Sequence, residues 1–182
     1  KIQTKCLINS ISKQDDIFKI ETNSGFFSCS NLIVATGGIS YPKIGATDMG
    51  YKIAKQFGHK IINPRPALVG LIAQTDLRSF CSELAGVSVP VTITIDKKKI
   101  CNDLLFTHMG ISGPAVLNAS LYWQNGQNLF IDFLNGTNFD DLLQNQAKKN
   151  ISQIVSNILP LHLAKKLIGS MDCKIENLSN KN

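Results

Sequence analysis

Asn31-Leu-Ile-Val-Ala-Thr-Gly-Gly38 is a short β-branched, apolar run that ends in small residues and a glycine pair. That texture predicts a buried parallel strand, and glycines at its carboxyl end let backbone approach a ligand with no Cβ in the way. In open α/β sheets, ligands sit at that end of the strands. Upstream, Ile2 to Asn9, Ile17 to Thr22 and Gly25 to Ser30 alternate as three further strands, with Asn23-Ser24-Gly25 as the turn between the last two. The expected amino-terminal unit is a meander that feeds a ligand-facing strand, an α/β arrangement.

Working outward, Ile39 to Gly45 is a loop restrained by Pro42. A helix follows from Asp48 to Phe57, with Thr47 as N-cap, Met49, Ile53 and Phe57 on one face, and Gly58 as its stop. Lys60 to Ile62 reads as a short strand. Asn63-Pro-Arg-Pro66 forces extended backbone and suits a crossing between domains. Beyond it, Leu68 to Gln74, Val87 to Asp96, Ile100 to Phe106 and Asn128 to Phe133 read as strands, with a turn at Asp96 to Lys99. These predict an inserted antiparallel or barrel-like β domain. Within it Ser112-Gly-Pro114 opens a helix running to about Trp123, with Ser112 as cap. From Asn138 the periodicity turns helical. Phe139 to Lys149 carries Leu142, Leu143 and Ala147; Asn150-x-x-Gln153 resembles a capping box; a third helix starts at Pro160 and ends at Gly169. The polar tail after Ser170 stays unassigned. The domain boundaries expected from this change of texture are 1–65, 66–136 and 137–182.

The 182 residues, 43% hydrophobic, suffice for a sizeable core in one or two domains. The net charge of +6 comes from scattered lysines whose one run, Lys97 to Lys99, falls in the expected hairpin turn. Without a basic surface interleaved with aromatics, no nucleic-acid partner is expected. Five cysteines with no Cys-x-x-Cys spacing disfavour a disulfide scaffold or a zinc ribbon, and Cys6 and Cys29 are expected as small buried strand residues. No apolar stretch reaches the roughly 20 residues that span a bilayer, and no signal-peptide core opens the chain. The expectation is a reduced, cytoplasmic protein with neither membrane partner nor metal.

Three longer motifs go further: Gly38-Ile-Ser-Tyr-Pro-Lys-Ile-Gly-Ala-Thr-Asp-Met-Gly-Tyr-Lys-Ile-Ala-Lys-Gln-Phe-Gly58, Pro64-Arg-Pro-Ala-Leu-Val69, and Leu105-Phe-Thr-His-Met-Gly-Ile-Ser-Gly-Pro-Ala-Val-Leu117. Over nearly the whole chain these resemble the bacterial FAD-dependent flavoproteins labelled NAD(FAD)-utilizing dehydrogenase, aminoacetone-oxidase-like enzyme or 3-dehydro-bile-acid reductase. The resemblance implies a two-dinucleotide-binding (FAD/NAD(P)) fold interrupted by a β-barrel-like domain and a helical domain. It also implies FAD against Ala35, Thr36, Gly37 and Gly38, with NAD(P)H as electron donor. The implied activity is that of an FAD-dependent oxidoreductase acting on a small-molecule organic substrate by flavin hydride transfer.

The chain departs from that family in lacking a Gly-x-Gly-x-x-Gly fingerprint and a closing glycine-rich segment. It is expected to be an internal fragment of an enzyme roughly twice its length, inactive alone and unable to retain FAD. No catalytic residue is identified. Tyr41 could stack near a ligand or simply pack its loop. His108 suits acid–base work as a residue type, but a lone histidine at a strand end more often plays a structural part. His59 and His162 read as surface residues. Gly110-Ile-Ser-Gly-Pro114 only superficially approaches a nucleophile elbow. The alternative function is a non-catalytic module binding protein or nucleic acid, and the oligomeric state is left open.

Overall fold

A computed structural model describes residues 1–144, 146, 148–169 and 172–174. The chain forms two compact units, Lys1–Arg65 and Pro66–Asn182.

In the first unit, β1 (Ile8–Gln14), β2 (Ile17–Thr22) and β3 (Gly25–Cys29) form an antiparallel meander in the order β1-β2-β3. The second and third strands lie where alternation predicts them. The first lies later than expected, because residues 2–7 find no pairing and the β1 register runs from Ile8↔Thr22 to Gln14↔Ile17. Asn23 ties the leading segment down instead: its side-chain oxygen accepts the Leu7 N–H at 2.8 Å, and its own N–H donates to Leu7 O at 3.0 Å. Helix α1 (Met49–Gln56) packs on the meander through an edge-to-face Phe18–Phe57 contact at 5.8 Å and a Gln56 Nε2 bond to Ile11 O at 2.6 Å. The N-cap position falls to Asp48, one residue after the expected Thr47, whose Oγ1 lies 3.5 Å from the Met49 N–H. Gly58 ends the helix as expected, in the left-handed region that glycine adopts without a Cβ penalty.

Two expected strands do not form. Residues 31–38 and 60–62 carry no ladder, and Ile33 is 89% exposed. A parallel strand is stable only between neighbours that take up both rows of its backbone hydrogen bonds. Among the described residues none supplies them. Cys6 and Cys29 are half-buried rather than core residues, and Cys6 lies outside any strand.

The second unit is built on a five-stranded antiparallel sheet, order β4-β7-β6-β5-β8, comprising β4 (Leu71–Ile72), β5 (Ser88–Ile95), β6 (Lys98–Thr107), β7 (Gly110–Ser112) and β8 (Phe130–Asp132). Strand β5 alternates strictly: Val89, Val91, Ile93 and Ile95 point into the core, joined by Leu104 and Phe106 of β6. The hairpin between them is tighter than predicted. Asp96 and Lys97 form the turn, Asp96 takes a left-handed φ of 49°, and Lys98 and Lys99 already pair in β6. The first expected strand shrinks from Leu68–Gln74 to two residues, and α2 (Thr75–Glu83), unassigned from the sequence, follows it. Its Leu77, Phe80, Cys81 and Leu84 have helical spacing, and Cys81 and Leu84 are fully buried.

Helix α3 (Pro114–Ala119) begins on Gly113, not on Ser112, which closes β7. At φ 89°, a Cβ on Gly113 would stand 2.7 Å from Leu105 N and 2.8 Å from Asp103 O, so only glycine makes this strand-to-helix corner. Ala115, Val116 and Ala119 then pack closely on the sheet.

Helices α4 (Phe139–Leu143), α5 (Ile151–Val155) and α6 (Leu161–Ile168) complete the unit. The first is shorter than predicted, and Ala147 lies outside the described residues. The capping box at α5 forms as read, the Gln153 side chain accepting the Asn150 N–H at 3.1 Å. Ile151, Val155, Leu159, Leu163 and Ala164 share one core with the sheet. Beyond Gly169, Asp172 accepts both the Ser152 hydroxyl, at 2.6 Å, and the Ser152 N–H, at 3.0 Å. These two bonds, the hydroxyl's first, hold the Asp172 carboxyl below the usual carboxylate range. Of the tail after Ser170, residues 171 and 175–182 lie outside the described residues.

Candidate functional site

The Ala35–Gly38 turn is exposed and reaches the start of α1. A Cβ on Gly50 would lie 2.7 Å from Thr36 Oγ1, and one on Gly38 would lie 3.7 Å from the Tyr51 hydroxyl. Gly50 therefore allows the turn to lie against the helix. Its helix propensity is poor, and that misplacement is the sequence signal by which it could have been singled out. Gly37 adopts φ 70°, with nothing within 4 Å of the place a Cβ would take. Its requirement for glycine is conformational, and the result is a patch of bare backbone beside the Thr36 hydroxyl. A flat cofactor edge can approach such a patch, and the hydroxyl can donate or accept a hydrogen bond there. Ala35, Thr36, Gly37 and Gly38 are thus brought together with Gly50 and Tyr51 in one place.

Tyr41 is 60% exposed and precedes a single 3-10 turn at Pro42–Ile44 that Gly45 ends with a left-handed φ of 95°. Its ring makes no aromatic contact among the described residues.

In the second unit His108 occupies the tip of the β6–β7 hairpin, exposed. Thr107 Oγ1 donates to Gly110 O at 3.0 Å and accepts the Met109 N–H at 3.3 Å, while Met109 O accepts the Ala73 N–H at 2.9 Å. Gly110 fits against β4 only because it lacks a Cβ, which would stand 2.6 Å from Ala73 N. Arg78 of α2 reaches the same tip, its Nη2 lying 2.9 Å from Met109 Sδ. The tip, tied by these bonds, exposes His108 and is met at Met109 by Arg78, which was not singled out from the sequence. His162 lies on α6, exposed, and His59 follows the end of α1.

Among the described residues no group of His, Cys, Asp and Glu could hold a metal ion, and no helix is long and apolar enough to cross a membrane.

A family model described as the HI0933-like protein barrel and H2TH domain matches residues 65–181, a span that contains the five-stranded sheet and α2 to α6. A ribosomal RNA dihydrouridine synthase of Haemophilus influenzae is 46% identical over 153 residues, covering 83% of this chain and 38% of the relative. One of Escherichia coli is 39% identical over 160 residues, covering 87% and 40%. The chain spans about two fifths of the length of these curated relatives. Their names overturn the expectation of a small-molecule substrate with no nucleic-acid partner, since both relatives are named for action on RNA. The physical reason for that error is the distribution of charge. Lysines scattered along the chain are uneven in the fold: residues 1–65 hold nine Lys and Arg against four Asp and Glu, and residues 66–182 hold ten against nine.

Proposed function

The chain belongs to the HI0933-like family, and from that premise we propose that it is part of a flavin-dependent oxidoreductase that forms dihydrouridine in ribosomal RNA. The observation that carries this reading is the identity to the two named synthases, which extends over more than four fifths of the chain. Dihydrouridine is uridine with its C5–C6 double bond reduced, so the reaction consumes two electrons and two protons. A reduced flavin, when bound, supplies the hydride for such a reduction.

The part of this chain in that chemistry is to bind and to orient. Thr36 to Gly38 present bare backbone and one hydroxyl where FAD fits, and Gly50 keeps that turn seated on α1. The Thr107–Gly110 tip offers His108 and Arg78 to an anionic substrate. The dinucleotide-binding fold around residues 1–65, and the division of the rest into a β domain over 66–136 and a helical domain over 137–182, belong to the same proposal.

The test uses the full-length protein. Ribosomal RNA lacking the modification is incubated with it anaerobically, with NADH or NADPH, then digested to nucleosides and weighed. A gain of two hydrogens on uridine is expected. Flavin reduction that leaves the RNA mass unchanged would overturn the proposal.

A further inference from the structure

Helix α1 and the segment that follows it form an open concavity of about 330 Å³, lined by Tyr51, Lys52, Lys55, His59, Lys60, Ile61 and Asn63. Tyr51, Lys52 and Lys55 come from α1, Lys52 and Lys55 standing one turn apart, and His59 comes from the segment after the helix. Gly58, at φ 83°, then reverses the chain, and the His59 N–H closes on Ala54 O at 3.0 Å, which brings Lys60 and Asn63 back beside the helix.

No carboxylate lines this concavity. Lys52 is paired with Asp48 at 2.9 Å, whereas Lys55 and Lys60 have no acidic partner among the described residues. Favourable interaction with the helix carboxyl end would account for Lys55 alone. It would not account for a second ammonium, an imidazole and a phenol ring gathered round one hollow. The order Tyr51-Lys52-x-x-Lys55-x-x-x-His59-Lys60 is a basic surface interleaved with planar rings, assembled by the helix and its reversal and invisible as a run of charge. It also lies in the unit that carries almost all of the net positive charge.

We infer that this concavity is a docking site for the phosphodiester backbone of an unpaired RNA strand, with Lys55 and Lys60 on phosphates and Tyr51 and His59 as stacking surfaces for bases. Ammonium groups hold phosphates without reading sequence, and unpaired bases stack on rings of any type. Tyr51 joins the two sites: its hydroxyl faces Gly38, so a strand held here lies beside the Thr36–Gly38 turn. The inference rests on the RNA reading proposed above and adds to it the surface by which the strand is held.

The test is fluorescence anisotropy of a labelled single-stranded oligouridylate with full-length protein, across a salt series. K55E/K60E is expected to raise Kd by at least about tenfold at 0.1 M salt and to lower the slope of log K against log salt by about 1.4, two contacts at ~0.7 each for a single strand. K97E/K99E, which reverses charge at the β5–β6 hairpin, is expected to leave both values unchanged. Flavin absorbance and thermal unfolding of K55E/K60E should match the parent, which separates lost docking from lost folding. Unchanged affinity and slope in K55E/K60E, with the parent still binding, would overturn this site and leave the RNA reading standing. Absence of binding by the parent would overturn both. Displacement of the oligonucleotide by NADPH, with the same sensitivity to K55E/K60E, would assign the phosphates to a free dinucleotide and overturn the RNA strand as occupant.

Discussion

The two units divide apolar burial very unequally. Among the described residues the first buries two hydrophobic side chains, Ile11 and Ile20, and the second buries seventeen. The first unit instead leaves Ile2, Phe26, Ile33 and Ile62 more than 80% exposed. Burying a large aliphatic side chain contributes roughly 1.5–3 kcal/mol. The second unit therefore has the larger hydrophobic driving force, while the first is held by its ladder, the Phe18–Phe57 contact and the Gln56–Ile11 bond. The unit with the weak core also holds the bare-backbone turn and the basic hollow. The proposed FAD turn and RNA hollow thus lie in the unit with the smaller core, whereas the Thr107–Gly110 tip stands on the unit with the larger one.

The single tryptophan, Trp123, packs against the second unit's core and donates to Gln127 O at 2.9 Å, so its fluorescence reports that unit. The largest effect is expected from Leu104→Ala, at a fully buried site: a loss of about 2–5 kcal/mol in denaturant unfolding followed by Trp123. Ile20→Ala should leave the same transition within ~0.5 kcal/mol of the parent. A large shift on Ile20→Ala would break the contrast between the units.

Hydrogen exchange sharpens that contrast. The amide of Ile93, in the doubly paired part of β5, should be protected at least about tenfold more than that of Ile20, a difference of ~1.4 kcal/mol or more. Equal protection would show that the units open together.

A smaller effect separates the two glycines of the proposed cofactor turn. Gly37→Val places a branched side chain at φ 70° and should cost about 1–2 kcal/mol, lowering flavin affinity of the full-length protein roughly tenfold. Gly38→Ala, whose Cβ would make an ordinary 3.7 Å contact with the Tyr51 hydroxyl and meets no backbone strain, should lower flavin affinity less. Titration with FAD measures both, and equal affinities would remove the turn from the site.

The smallest effect is one of pH. The Asp172 carboxyl titrates below its ordinary 3.8 in the folded chain because Ser152 donates to it twice. Its contribution to stability is thus present in full above about pH 5 and is lost as the pH falls through the lower folded value. Asp172→Asn should flatten the acid dependence of the Trp123 transition between about pH 5 and pH 3. An unchanged acid limb would show that the tail does not brace α5.

Much of this was legible in advance, and the failures have a common cause. Alternation located β2, β3, β5 and β6 because the pleat places every second residue on one face. Gly58, Pro114, the Asn150–Gln153 box and Gly169 marked helix ends because backbone conformation and capping are settled within a few residues. Strand character at 31–38 was not decided locally, since a parallel strand exists only between partners. For the same reason Asp172 could not be joined to Ser152 twenty residues away, nor Arg78 to Met109, nor Gly110 and Gly113 to the strands they touch. The motifs placed Ala35–Gly38 as a candidate site, and the fold added Gly50 and Tyr51 beside them. Short-range periodicity, capping and backbone freedom thus marked β2, β3, β5, β6 and the ends of α1, α3, α5 and α6 within the sequence, but neither α2 nor the state of residues 31–38 and 60–62. Which side chains meet depends on chain reversals and packing that no local pattern encodes, and it is settled in the folded chain.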